Sequence, residues 1–190
     1  MNNILQENTP TIFTERLILR KFTLSDLPHY YKIMACKATN KYLPWFPPKS
    51  ESEALSLLHK NCLDSYDLPS GYRYAVCLKE NNVPIGYCGS SGTESNDIGY
   101  GLLKDFWHKG IMTEAVTALV DRMKKAGYPY ITATHDVNNI YSGAVMRKVG
   151  MRYKYSYNEV WQPKNYLVTF RMYQLNFDGV NRTYMEYWDK

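Results

Sequence analysis

The run Trp107-His108-Lys109-Gly110-Ile111-Met112-Thr113-Glu114-Ala115 places a lysine and a glycine at the entry to a strongly amphipathic helix. The first N–H groups of a helix have no intrahelical acceptor, and the helix dipole sets positive charge behind them. Backbone amides from His108 through Lys109, Gly110, Ile111 and Met112 to Thr113 therefore suit a phosphate-bearing ligand, with the Lys109 ammonium beside them. As local structure alone, Gly110 is a turn glycine and Lys109 a solvated cation. A second stretch, Asn139-Ile140-Tyr141-Ser142 followed by Arg147-Lys148-Val149-Gly150-Met151, begins with a residue type that caps helices and carries a hydroxyl one turn later. His135 follows a strand-like run and precedes Asp136, which fits a base or an ordinary loop histidine. His29, His59 and His108 lack metal-ligand spacing with a carboxylate or thiol, so no metal is expected.

The elements that must hold these groups are legible in the hydrophobic pattern. Residues 14–22 alternate as a strand, and Ser25-Asp26 starts a helix with Leu27, Tyr30, Tyr31, Ile33 and Met34 on one face. A rigid loop, Pro44-Trp45-Phe46-Pro47-Pro48, precedes a second helix from about residue 50. Residues 72–79 and 84–90 form two strands with a tight connection, and 96–103 forms another. Gly99 and Gly101 inside that strand imply a bulge or close approach by another chain. Helix three covers 111–126 and ends at Gly127; a short strand at 128–134, a helix at 139–149 and two long strands at 151–161 and 166–177 follow. Adjacent strands with fewer helices imply an α+β fold, a largely antiparallel twisted sheet flanked by about four helices, with a βαβ portion around helix three. One domain over 1–190 is expected, with a core at 14–177 and a tail at 178–190 whose role the pattern leaves undefined.

Bulk properties narrow the partners. At 190 residues, 45% hydrophobic and 22% charged, the chain reads as globular. Its net charge of +5 is dispersed, which argues against nucleic acid as a partner. No apolar run suits a bilayer and the first ten residues do not resemble a secretion signal, so no membrane partner is expected. Cys36, Cys62, Cys77 and Cys88 are scattered without a C-x-x-C pair, which points to a cytoplasmic home. Many of the 18 tyrosines fall late in the chain, as strand faces, an aromatic acceptor pocket or a contact in a homodimer.

The element order, together with both motifs, resembles the GNAT superfamily of acetyl-coenzyme A-dependent N-acetyltransferases, closest to the ribosomal-protein N-terminal acetyltransferase (RimJ/RimL-like) branch. The resemblance covers about 14–177. It rests on Thr14-Glu15-Arg16-Leu17-Ile18-Leu19-Arg20, on Asp97-Ile98-Gly99-Tyr100 followed by Trp107 and Gly110 to Ala115, and on Asn139 to Ser142 with Arg147 to Met151. Two positions depart from the family loop: Trp107 stands where arginine or glutamine is usual, and Met112 where glycine or alanine is usual. His108 also occupies a frequent glycine position.

The resemblance implies acetyl-CoA as cosubstrate, with pyrophosphate on the 108–113 amides and pantetheine along the backbone of Leu102 and Leu103. Asn139 corresponds to the family asparagine that contacts pantetheine, Ser142 to the serine near the sulfur, and Lys148 to a contact for the 3′-phosphate. Met146 stands where other branches carry an acidic tyrosine. By position, Asp97 and Glu94 are the candidate bases, equally readable as solvated carboxylates. The acceptor is then a primary amine, either a peptide N-terminus or a small molecule, shaped by residues 41–49, 68–72 and 155–166. Trp107 and Met112 also leave open a relative that binds acetyl-CoA or a protein partner without turnover. Neither G-x-G-x-x-G nor a Walker lysine loop is present, which sets aside other nucleotide-binding enzymes.

Overall fold

The computed structural model describes residues 8–68 and 71–187. Eight strands and four α-helices follow in the order β1 (Ile12–Phe13), β2 (Leu17–Arg20), α1 (Leu27–Ala35), α2 (Glu51–Asn61), β3 (Tyr72–Leu78), β4 (Pro84–Ser90), β5 (Ile98–Leu102), α3 (Ile111–Lys125), β6 (Tyr130–Asp136), α4 (Ile140–Lys148), β7 (Arg152–Trp161) and β8 (Tyr166–Asn176). The architecture is α+β, as the pattern predicts, but the strands divide into two sheets. One runs β1-β2-β3-β4-β5 and the other β6-β8-β7, each antiparallel throughout.

The division falls between β5 and β6. The strands meet at one parallel bridge, Asp97 to Thr132, where the Thr132 amide donates to the Asn96 carbonyl at 3.3 Å. Beyond it the strands diverge, so a wedge opens along the free edge of β5. The expected βαβ unit is therefore reduced to a single contact. No bulge interrupts the β4–β5 register. Gly101 is required instead by close approach, because a Cβ there would lie 2.6 Å from the Tyr87 ring, whereas a Cβ on Gly99 would meet open space.

Apolar faces bind helices to both sides of this frame. Ala115, Val116, Leu119 and Met123 of α3 and Met146 of α4 pack with Tyr74, Val76, Ile131 and Ala133 in the main core. On the other face, Tyr30 and Met34 of α1 and Leu58 of α2 pack with Ala75 and Cys77 of β3. Burying each Val, Leu, Ile or Met among them contributes about 1.5–3 kcal/mol. β6 begins at Tyr130 rather than 128 because the end of α3 uses the preceding amides. Gly127 takes φ +84°, its amide donates to Lys124, and the Tyr128 amide donates to Met123. The strand then runs to Asp136, pairing His135 with Arg171 and Asp136 with Phe170.

The 178–187 segment folds back onto the smaller sheet. Gln174 anchors it twice, donating to the Arg182 carbonyl at 3.0 Å and accepting from the Tyr184 amide at 2.8 Å. Tyr184 and Tyr187 then pack on Tyr157, Val168, Phe170 and Met172.

Candidate functional site

Three parts of the chain converge on the wedge: the free edge of β5, the loop entering α3, and the start of α4. Loop geometry comes first. His108 at φ +60° and Gly110 at φ +75° are both left-handed, which turns the backbone sharply into α3. Histidine tolerates that region less well than glycine, and its ring rests edge-on against Tyr141 of α4 at 4.7 Å. No side chain caps α3, and its first intrahelical-type bond runs from Glu114 to Gly110. The amides of Ile111, Met112 and Thr113 are thus left for a ligand.

The rest of the loop is pinned elsewhere. Trp107 donates Nε1–H to the Leu102 carbonyl at 2.7 Å, and Lys109 turns its ammonium back to the Asp105 carbonyl at 2.9 Å. In this arrangement the Lys109 charge closes its own turn and does not aim into the cradle. Arg16 donates to the Lys109 carbonyl at 2.9 Å and pairs with Glu114 at 2.7 Å. Glu114 also accepts from Thr14 Oγ1 at 2.6 Å and the Arg16 amide at 2.9 Å. Burial opposes ionisation of Glu114, but these donors outweigh it and hold the carboxyl below its ordinary pKa. Glu114 therefore ties the β1–β2 connection to the loop, a role beyond support of its own helical turn. Met112, only 8% exposed, directs its side chain into the main core. Its bulk goes into packing.

Along β5, the Leu103 amide donates to Ile85 at 2.9 Å and its carbonyl accepts from Phe106 at 3.0 Å. Both polar groups of Leu103 are thus in use, contrary to its expected role toward pantetheine. Alternation in an antiparallel ladder then turns the Leu102 backbone groups away from β4. The Leu102 carbonyl is taken by Trp107 and by Thr39 Oγ1 at 3.0 Å, which leaves its amide facing the wedge.

Tyr100 crosses the wedge from β5 to α4. Its hydroxyl donates to the Ser142 carbonyl at 2.8 Å, and Ser142 Oγ donates to the Tyr100 hydroxyl at 3.1 Å. Burial raises the Tyr100 pKa, with Asp97 and Tyr173 adding to the effect against the Ser142 hydrogen bond. The phenol stays neutral. Ser142 stands out in the sequence through its own motif and Tyr100 only as part of a strand; 42 residues separate the pair, so no periodicity could join them.

Asn139 precedes α4 without capping it through its side chain, so the capping alternative is not what the structure displays. Lys148 is exposed in the last turn of α4, about 9 Å along the axis from Ser142. Helix α4 rests on His135, which is 4% exposed. Its Nδ1 pairs with the Asp136 carbonyl at 2.8 Å, while its ring lies beneath Gly143. Burial lowers the His135 pKa, and Arg171 and Arg147 lower it further.

The two candidate bases separate. Asp97 stands at the apex of the wedge, whereas Glu94 is exposed in the β4–β5 connection, its carbonyl accepting from Tyr130 at 2.7 Å. On the acceptor side, Lys164 donates to the Leu43 carbonyl at 2.6 Å, joining the β7–β8 turn to the 41–49 loop. Among the described residues no group of three or more His, Cys, Asp or Glu is placed to hold a metal ion, and no helix is long and apolar enough to cross a membrane.

The acetyltransferase (GNAT) domain family matches residues 16–152. The chain belongs to the GNAT acetyltransferase family. Its relatives include the uncharacterized N-acetyltransferase p20 of Bacillus licheniformis, 30% identical over 116 residues, 58% of this chain and 64% of that protein. The match thus spans slightly less than two thirds of p20. The uncharacterized N-acetyltransferase YnaD of Bacillus subtilis is 28% identical over 145 residues, 74% of this chain and 82% of that protein. Among solved structures, RimL, a ribosomal L7/L12 alpha-N-protein acetyltransferase in complex with coenzyme A, shares the fold with a TM-score of 0.74. Its identity is 21%, over 90% of this chain and 100% of that one.

Proposed function

We propose that this acetyltransferase is acetyl-CoA-dependent and acetylates a primary amine, in the manner of the RimJ/RimL-like branch, on a peptide N-terminus or a small molecule. The observation that carries the reading is the wedge beyond the Asp97–Thr132 bridge, with uncapped α3 amides at its open end and the Tyr100–Ser142 hydroxyl pair across it. The donor set fits the nucleotide: the Ile111, Met112 and Thr113 amides face a pyrophosphate, and the Leu102 amide and the Asn139 side chain suit the amide groups of pantetheine. Acetyl-CoA, when bound, supplies the acetyl group as a thioester.

The chain's own residues then divide the work. Ser142 stands on the thiol side with its hydroxyl proton resting on the Tyr100 oxygen, and it must turn that proton from Tyr100 to the sulfur as the thiolate leaves. Asp97 faces the incoming amine from the apex of the wedge. Backbone N–H groups on the free edge of β5 stabilise negative charge at the carbonyl oxygen. Glu94 lies outside this arrangement. Four free cysteines suit a reducing, cytoplasmic compartment.

Isothermal calorimetry with acetyl-CoA and coenzyme A, followed by free-thiol release across an amine panel, tests the proposal. Micromolar binding with amine-dependent thiol release is expected. Absence of binding to either nucleotide would refute it, and binding without thiol release for any amine would refute the catalytic half.

A further inference from the structure

We infer that Arg16 is a positioning residue for coenzyme binding: it holds the Lys109 carbonyl from behind the loop that enters α3, and so turns the Gly110 amide toward the diphosphate. The inference rests on the N-acetyltransferase reading. It gives a task to the 14–20 stretch, which carries part of the family resemblance but has no part in the proposed chemistry.

In a planar trans peptide the C=O and the N–H point in opposite directions. Arg16 Nη1 donates to the Lys109 carbonyl at 2.9 Å, so the N–H of that same peptide, on Gly110, points away from Arg16 and the β1–β2 connection. Among the described residues this amide finds no protein acceptor, while the Gly110 carbonyl accepts from the Glu114 amide at 3.0 Å. Gly110 is left-handed at φ +75° and the residues after it are helical. Successive N–H groups at such a change of hand form a concavity that takes the oxygens of an anion. The Gly110 amide thereby extends the run of donors from Ile111, Met112 and Thr113 by one.

The guanidinium is itself fixed at several points. Nε donates to Glu114 Oε2 at 2.7 Å, and Glu114 Oε1 accepts from the Arg16 amide at 2.9 Å and the Thr14 hydroxyl at 2.6 Å. Thr14 Oγ1 accepts from the Leu17 amide at 3.0 Å, which joins this cluster to the start of β2. Nη2 lies against Gly110, 3.5 Å from where a Cβ would stand. The β1–β2 connection, the first turn of α3 and the Lys109 carbonyl are therefore one hydrogen-bonded unit.

The loop needs such a hold. A histidine at φ +60° keeps that conformation only where its surroundings over-determine it. Tyr141 supports the His108 ring, and Arg16 supports the carbonyl of the next residue. Lys109 cannot take the place of Arg16, because its ammonium is turned to the Asp105 carbonyl at 2.9 Å. A lysine at position 16 would supply the same charge, but only the planar fork of an arginine holds a carboxylate and a carbonyl at once.

Arg16→Ala frees the Lys109–Gly110 peptide, and Arg16→Lys keeps the charge without the fork. In calorimetry of the full chain with coenzyme A, Arg16→Ala should raise Kd about tenfold or more, the scale of a lost hydrogen bond to a charged group. Arg16→Lys should recover little of that loss. In thiol release with the best amine of the panel, the KM for acetyl-CoA should rise to a similar extent, with kcat at saturating acetyl-CoA and the KM for the amine held. An arginine that only stabilises the fold would lower Tm and leave the Kd for coenzyme A unchanged wherever the variant is folded. That result would overturn the inference, as would wild-type affinity in Arg16→Lys. If Arg16→Ala does not fold, Arg16→Lys decides the question by itself. Coenzyme A binding by the wild type upholds the acetyltransferase reading in each of these cases, and its absence would overturn both.

Discussion

Gly143→Ala isolates the seat of α4 from the chemistry on its surface. A Cβ at position 143 would stand 2.5 Å from His135 Nε2, 2.8 Å from Cε1 and 3.2 Å from Cδ2. Ordinary contact needs about 3.5 Å or more, so the ring or the helix must move by about 1 Å. His135 has little room to yield: Nδ1 is bonded to the Asp136 carbonyl and Tyr173 packs 5.5 Å from its ring centre. Overpacking of this kind costs about 1–3 kcal/mol. Replacing glycine by alanine inside a helix returns about 1 kcal/mol. Net destabilisation should then be about 0–2 kcal/mol, a fall of a few degrees in Tm. Turnover should suffer more, because Ser142 is the next residue and a shift of about 1 Å in a reacting group can cost about a hundredfold. Calorimetric Tm and thiol release at saturating acetyl-CoA read the two effects separately. His135→Ala added to Gly143→Ala removes the clash and should restore part of the lost turnover. A Gly143→Ala protein with raised Tm and wild-type turnover would show that α4 is not seated on His135 as described.

Ser142→Ala should slow thiol release by about a hundredfold, the scale of a lost proton donor, with coenzyme A affinity held, whereas Asn139→Ala should weaken that affinity in calorimetry. Glu114→Gln should lower Tm at neutral pH by breaking the link to Thr14 and Arg16. Since the folded-state pKa of Glu114 is depressed, its contribution is present above the unfolded value and is lost as pH falls through the folded one, so the Tm curves of variant and wild type should converge in acid. His135 has its pKa lowered, so below about 6.5 the unfolded chain takes up the proton first and stability falls with pH until the folded pKa is passed. His135→Leu should flatten that part of the Tm profile.

Elements with a strong local period were legible before the structure: α3 was expected at 111–126 and spans Ile111–Lys125, and β4 has its expected limits. The split of the sheet was not, because it depends on which strand edges meet, and the long hairpin at the end of the chain gives no sign that β8 takes the centre of its sheet. The site followed the same rule. The α3 entry was readable from one stretch of residues, whereas Tyr100 on Ser142 and Arg16 on Glu114 join positions 42 and 98 apart. Met112 departs from the family loop, and its place in the main core was not legible because a residue type does not say which way a helical side chain points. The 178–187 segment has no periodicity, and its place follows from aromatic stacking and Gln174.

The acceptor's own ionisation supplies a further test. Only the neutral amine attacks, and an α-amine with pKa near 8 is about 3 kcal/mol easier to bring to that state than a lysine near 10.4. The described site offers Asp97 and the neutral Tyr100, with no buried cation-lowering cluster to depress a lysine pKa by several units. At pH 7 an α-amine should therefore outrun an ε-amine of similar shape by about two orders of magnitude, from the neutral fractions alone. At pH 9 the α-amine is nearly all neutral while the ε-amine still gains tenfold per pH unit, so the advantage should shrink by about tenfold. Thiol release from a peptide with a free N-terminus, measured against its N-blocked lysine counterpart between pH 7 and 9, reads this directly. A preference that stays constant with pH would mean that pocket shape, and not the supply of neutral amine, selects the acceptor.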